Sequence, residues 1–312
     1  MPTAFLNTIA FNYPTQLLLA HLVESDEEYA NFYNKYTGLK ILDNSAFEMY
    51  KRGEPMYPAE KLIEMGQKVN ASYIIMSDYP DEVPEKTVTA ATELAPQFRA
   101  NGFGTFFCPQ AKIGDFEGLV ESFEWAATSE HVDYIGFSIL NIPNAYGVEK
   151  DNKLQRYLSR LKFINELDKR GVLGEIIDNN KKIHFLGLLD GPNEIELIQM
   201  AGYGHCIDTW DSSAAVWYGL NGIEFDSSPT GSYAGKFEKE VDFSFTIEDN
   251  IIGESDRNDD GPGVLLSDEP IQGVQVDRRY NRPPALLLEE VTLAVDNNLS
   301  RIDNMCEVKE PI

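Results

Sequence analysis

Short apolar runs alternate along the chain with stretches in which apolar residues recur every three or four positions. "LLLAHL" (17–22) precedes the helical "SDEEYANFYNKY", with Ser25 as its expected cap. "LKILDNSAF" precedes "AEKLIEMGQKV", and "SYIIMSD" precedes "PEKTVTAATELAPQFRA". "GTFFCPQ" leads to "FEGLVESFEWAAT", "VDYIGFSIL" to "NKLQRYLSRLKFINELDKR", "IHFLGLL" to "PNEIELIQMAG", and "HCIDTW" to "SAAVWYGL". That is seven strand–helix units in series. Runs such as "YIIM" and "IHFLGLL" are apolar on both faces, as strands of a covered parallel sheet must be. The pattern predicts an α/β fold, a (β/α)8 TIM barrel of roughly 250 residues, its eighth unit lying after residue 222. An open doubly wound sheet is the alternative, but no GxGxxG follows the first strand.

From 226 to 284 the texture changes to turn formers and acids, as in "SPTGSYAGK" and "GESDRNDDGPG". This predicts an irregular excursion, with a short hairpin near "VDFSFTI", inside a single domain spanning 1–312. Residues 285–306 have helical apolar spacing and are expected to form the closing barrel helix.

With 43% apolar residues the chain can bury a substantial core. No run approaches the ~20 continuous apolar residues of a membrane helix, and "MPTAFLNTIAFNYP" lacks the basic start and long apolar run of a secretory leader, so a cytoplasmic location and no membrane partner are expected. Cys108, Cys206 and Cys306 are scattered, odd in number and never in a CxxC pair, which argues against a disulfide framework or zinc knuckle and for buried small hydrophobes. The formal charge of -25 opposes nucleic acid as a partner. A nucleic-acid substrate must be held by a local basic patch, delivered by a helper protein, or met at high salt.

In a barrel, chemistry sits at the carboxyl ends of the strands. The expected ends carry Asp43, Asp78, Gln110, Ser138, Asp190 and Asp208, with Asp190 before "GPNE" the first nominee for a simple helix cap. The four histidines fall in no ligand motif, and His184 and His205 are expected as core histidines within strands. A magnesium site of Asp43, Asp78 and Asp208 would lack a phosphate cradle. Acids paired at one rim suit glycosyl chemistry better, one carboxylate attacking an anomeric carbon and another handling protons. No cofactor is expected.

These segments resemble, in order from about residue 40 to 215, the guanine transglycosylases, best known as tRNA-guanine (queuine) transglycosylases. "LDNSAFE" is similar to D-S-G-G-F/Y-Q, "IIMSDYP" to V-M-x-x-D-E-C, "FFCPQAK" to G-I-V-Q-G and "YIGFS" to Y-A-I-G-G-L. "FLGLLDGPNEIELIQMAGYGHCIDTWDSS" is similar to M-G-V-G-x-P-x-D-L and its sequel F-D-C-V-x-P-T-R. The resemblance implies Asp208 as nucleophile, Asp43 as general base, Asp78, Gln110 and Gly136 as readers of the base edge, and Phe47 and Leu186 as the surfaces between which an extruded base stacks. The family's glycine pair is Ser45 and Ala46 here, its glutamine is Glu48, and its cysteine–histidine zinc site is missing, since Cys306 is the only cysteine after Asp208. That combination resembles the shortened phage relatives that insert 7-deazaguanines into DNA. The implied function is exchange of guanine in DNA for a 7-deazaguanine, without metal.

Two alternatives stand beside it: a transglycosylase acting on tRNA, and an inactive barrel that binds a base or a partner protein. For the phosphate backbone, Arg278, Arg279 and Arg282 in "DRRYNR" are the first candidates, interleaved with Tyr280. Lys153, Arg156 and Arg160 on one helical face are the second.

Overall fold

The computed structural model describes residues 6, 10–150, 152–188, 192–213, 215, 216, 296 and 297. Seven parallel strands are hydrogen-bonded in chain order: β1 (Thr15–Leu19), β2 (Leu39–Asp43), β3 (Tyr73–Ile75), β4 (Gly104–Phe107), β5 (Tyr134–Ser138), β6 (Lys182–Leu186) and β7 (Thr209–Trp210). Helices fill each crossover. They are α1 (Ala20–Ser25) and α2 (Glu27–Lys35) after β1, α3 (Ala46–Arg52) and α4 (Ala59–Val69) after β2, α5 (Pro84–Ala100) after β3, and α6 (Phe116–Thr128) after β4. α7 (Asn141–Ala145), α8 (Lys153–Lys169) and α9 (Val172–Asp178) follow β5, and α10 (Pro192–Met200) follows β6. Sequential strand order with a helix in every crossover is the arrangement of a TIM barrel, whereas a doubly wound sheet reverses its order at a switch point. The expected eighth unit, the 226–284 excursion and the 285–306 helix lie outside the described residues, as do Asp190 and Cys306. The chain divides into two compact units. The first is Met1–Asp190, Glu194–Ser212 and Val308–Ile312, and carries the sheet; the second is Gly191–Asn193 and Ser213–Glu307.

Alternation along the strands sorts their side chains to two faces. Ile41, Ile75, Phe106, Cys108 and Tyr134 form one buried cluster, with Leu17, Tyr73 and Leu186 packed against it. Phe106 and Tyr134 stack with centroids 5.6 Å apart. Gly136 makes room for this layer, because a Cβ there would stand 2.6 Å from Leu186 Cδ1 and 2.7 Å from Phe106 Cε2. The other face packs on helices: Phe107 on Trp125, and Phe137 on Phe123 and Phe163. Truncating Phe106 to alanine would cost about 3–5 kcal/mol.

The cap of α2 is Asp26, which accepts the Tyr29 N–H at 2.9 Å, and not the expected Ser25, which ends α1 and donates to the His21 carbonyl. Lys40 is buried within β2, its ammonium bonded to the Tyr33 and Tyr36 carbonyls at the end of α2. That placement satisfies two otherwise orphaned helix carbonyls.

Candidate active site

The site grows from the end of β2, where Asp43 is the last strand residue. Asp43 Oδ1 accepts the Ser45 N–H at 2.6 Å and Asn44 Oδ1 accepts the Ala46 N–H at 2.8 Å, two Asx turns that swing the chain into α3. Ser45 is fully buried in the left-handed region at φ 57°. Glycine is the usual residue there, and the resembled motif has one. Here the strain is offset by α1, since Ser45 Oγ accepts the His21 N–H and stands 2.9 Å from His21 Nδ1. Phe47, in the first turn of α3, is 43% exposed, so it is not a core ring; Lys51 Nζ sits 4.0 Å over its face.

Asp78 and Gln110 lie three residues beyond β3 and β4, and both are buried. Asn44 Nδ2 donates to Asp78 Oδ1 and to the Met76 carbonyl, each at 2.8 Å, while Gln110 Nε2 donates to Asp78 Oδ2. Two side-chain amides thus grip one carboxylate, and Gln110 Nε2 also approaches Cys108 Sγ at 3.6 Å. Ser138, ending β5, spends its hydroxyl on the N–H groups of Leu140 and Asn141, a local cap. Leu186 ends β6 in register with Ser138, half-buried against the inner cluster. Gly136 sits below that level, and its observed constraint is close packing.

Asp208 stands elsewhere than expected. It precedes β7, is exposed, and its Oδ2 accepts the Ile183 N–H at 2.8 Å near the start of β6. The reason is register: β7 is only two residues long and pairs Thr209 with His184, which leaves Asp208 level with Ile183 at the amino side. The rim carboxylate of β7 is Asp211, whose N–H donates to the Phe185 carbonyl. Its Oδ1 receives the Gly187 N–H at 2.8 Å and lies 3.1 Å from His184 Nε2. The sequence carried a signal for this. The aromatic–aspartate pair in F-D-C-V is matched by Trp210–Asp211, not by Ile207–Asp208.

Burial dominates the electrostatics at this rim. Burial pushes Asp43 up from 3.8 to about 8; the Ser45 N–H opposes the shift, and the charges of Asp78, Glu48 and Asp211 reinforce it. Burial also raises Asp78, with the amides of Asn44 and Gln110 pulling the other way. Burial, then the charges of Asp78 and Asp43, hold the Cys108 thiol well above its ordinary range, so it stays protonated. Among the described residues no three His, Cys, Asp or Glu side chains converge as a metal set.

His184 is fully buried in β6 as expected, but it is bonded to a rim carboxylate; His205 lies exposed in a short 3-10 turn and not within a strand. The second set of backbone candidates also changes. Arg160 is 1% exposed and paired with the equally buried Glu194, its Nη1 donating to the Phe137 and Leu186 carbonyls, so it cannot meet a phosphate. Arg156 is half-buried and donates to Asn144 Oδ1. The Lys153 side chain, Arg278, Arg279 and Arg282 lie outside the described residues. No helix among the described residues is long and apolar enough to cross a membrane.

No family model matches the chain, and no curated protein sequence matches it. A solved structure similar to it is that of a candidate fructose-1,6-biphosphate aldolase from Coccidioides immitis, at 11% identity and a TM-score of 0.42, covering 97% of this chain and 87% of that one.

Proposed function

We propose that the protein is a base-exchange transglycosylase that replaces guanine in a nucleic acid, DNA in the first place, with a 7-deazaguanine through a covalent glycosyl–aspartate intermediate. The observation that carries this reading is one constellation at the carboxyl end of the sheet. Asp43 holds its proton to about pH 8, Asp78 is gripped by Asn44 and Gln110, and Asp211 is bonded through a single oxygen. A carboxyl that keeps its proton near neutral pH, beside an amide-lined reading edge and a rim carboxylate, suits base exchange at a sugar.

Asp211 takes the nucleophile's role that the resemblance had given to Asp208. Its Oδ2 attacks C1′ as the C1′–N9 bond to guanine breaks, and Asp43, mostly protonated at pH 7, delivers its proton to the departing N9. The resulting Asp43 carboxylate then removes the N9 proton of the incoming 7-deazaguanine, which displaces Asp211 from C1′ with net retention. Asp78 accepts from the N–H groups of the guanine edge, and the Gln110 Nε2 proton that approaches Cys108 Sγ turns to the base carbonyl. A base without that edge would form neither bond. Phe47 and Leu186 are suited to flank the extruded ring, offsetting the few kcal/mol that flipping costs.

The test is incorporation of labelled guanine and of a labelled 7-deazaguanine into single-stranded DNA, duplex DNA and tRNA. The reading expects label in DNA, none in tRNA, and none in either with Asp211→Asn. Label in tRNA alone would transfer the activity to RNA, and no label in any substrate would leave a binding module.

A further inference from the structure

We infer that His184 is the positioning residue of the nucleophile, acting through one ring nitrogen to hold Asp211 Oδ1 so that Oδ2 faces the sugar. The inference rests on the reading of Asp211 as nucleophile, but its geometry stands apart from that reading. The His184 side chain is buried, and its two nitrogens meet different partners: Nδ1 lies 2.7 Å from Thr209 Oγ1, and Nε2 lies 3.1 Å from Asp211 Oδ1. A carboxylate only accepts, so Nε2 carries the hydrogen. With the hydrogen on Nε2 alone, Nδ1 is an acceptor and the Thr209 hydroxyl donates to it. Both donors point the same way, from Thr209 through the ring to Asp211, and donors aligned in this manner polarise one another.

The surroundings fix the ring. Phe106 from β4 meets it edge-on at 5.4 Å, and Gly136 is its register partner in β5. Titratable groups face this chain from two sides: Asp211 just beyond β7, and Tyr134 from β5, whose hydroxyl is close enough to Thr209 to feel its hydrogen bond. The Gly187 N–H supplies a second donor to the same Oδ1, from a glycine at φ +69°. Asp211 is thus tied twice on one oxygen. The bond to Asp211 satisfies a ring N–H that burial would otherwise leave unpaired, and in doing so it fixes the orientation of the rim carboxylate.

The test uses the two amide mimics of histidine. Glutamine places its N–H near the position of Nε2, whereas asparagine reaches only as far as Nδ1. His184→Gln should therefore form the glycosyl adduct near the wild-type rate. His184→Asn should be slower by about 100-fold, the cost of a misplacement of about 1 Å, with KM for the free base unchanged in both. Equal loss in the two variants, or loss that follows their melting temperatures, would overturn the inference. Should either variant fail to fold, 15N spectra of the wild-type imidazole decide alone. The Nε2–H tautomer is expected, and an Nδ1–H tautomer would contradict the inference whether or not the protein exchanges bases. Exchange retained by Asp211→Asn, with the Nε2–H tautomer intact, would instead remove the nucleophile assignment and leave the hydrogen-bond chain standing.

Discussion

At the scale of single residues, Asp211 and Asp208 make opposite demands. Asp211→Asn should abolish the covalent adduct on denaturing gels because an amide is a poor nucleophile, while Asp208→Asn, on the amino side of β7, should form it at the wild-type rate. Asp43 adds a pH signature. Its carboxyl is raised from 3.8 to about 8, so the protonated form that assists guanine departure is lost as pH rises through 8. Single-turnover adduct formation should fall there, and Asp43→Asn should flatten the profile. The same shift acts on stability. The proton bound by the folded form contributes fully below about pH 4 and its contribution is lost as pH rises toward 8, so urea unfolding of Asp43→Asn should show a weaker decline over that window. Asp43, Asp78 and Gln110 were legible in the sequence because each closes an apolar run. Asp211 could not be read from the strand pattern, because a two-residue strand after "HCID" gives no periodicity from which to read its end; its one mark was the aromatic–aspartate pair Trp210–Asp211.

At the scale of elements, α8 illustrates why a helical face is hard to read. The spacing of Lys153, Arg156 and Arg160 suggests one solvated basic stripe, but Arg160 turns under the strand ends to pair with Glu194, a partner 34 residues away that no local pattern announces. Arg160→Met should cost about 3–5 kcal/mol in urea unfolding, because it strands a buried carboxylate, and Arg160→Met with Glu194→Leu should recover most of it. The turn after β2 is another case. Sequence shows serine where the resembled motif has glycine, yet only the fold reveals that His21 on α1 holds Ser45 in its left-handed conformation. Gly136 reads from sequence as a base contact and from structure as a packing necessity. Gly136→Ala should therefore destabilise by about 1–3 kcal/mol through Leu186 and Phe106, measurable by the same unfolding experiment.

At the scale of the whole molecule, seven two-faced apolar runs spaced by amphipathic helices were enough to fix the TIM barrel, since parallel strands in chain order leave few other arrangements. The charge of -25 poses the harder question, because it sets the protein against the polyanion on which it is proposed to act. If the "RRYNR" segment grips phosphates, replacing Arg278, Arg279 and Arg282 by alanine should weaken binding by a similar factor across sequences. The salt slope should flatten by at most roughly three phosphate contacts. An unchanged slope would move the grip to a partner protein. The base-exchange claim itself is tested most directly by nucleoside mass spectrometry of DNA incubated with the protein and a 7-deazaguanine. The account predicts a 7-deazaguanine deoxynucleoside in the digest, matched mole for mole by released guanine and absent with Asp211→Asn. DNA that keeps all its guanine, or that loses guanine and gains abasic sites in its place, would contradict it.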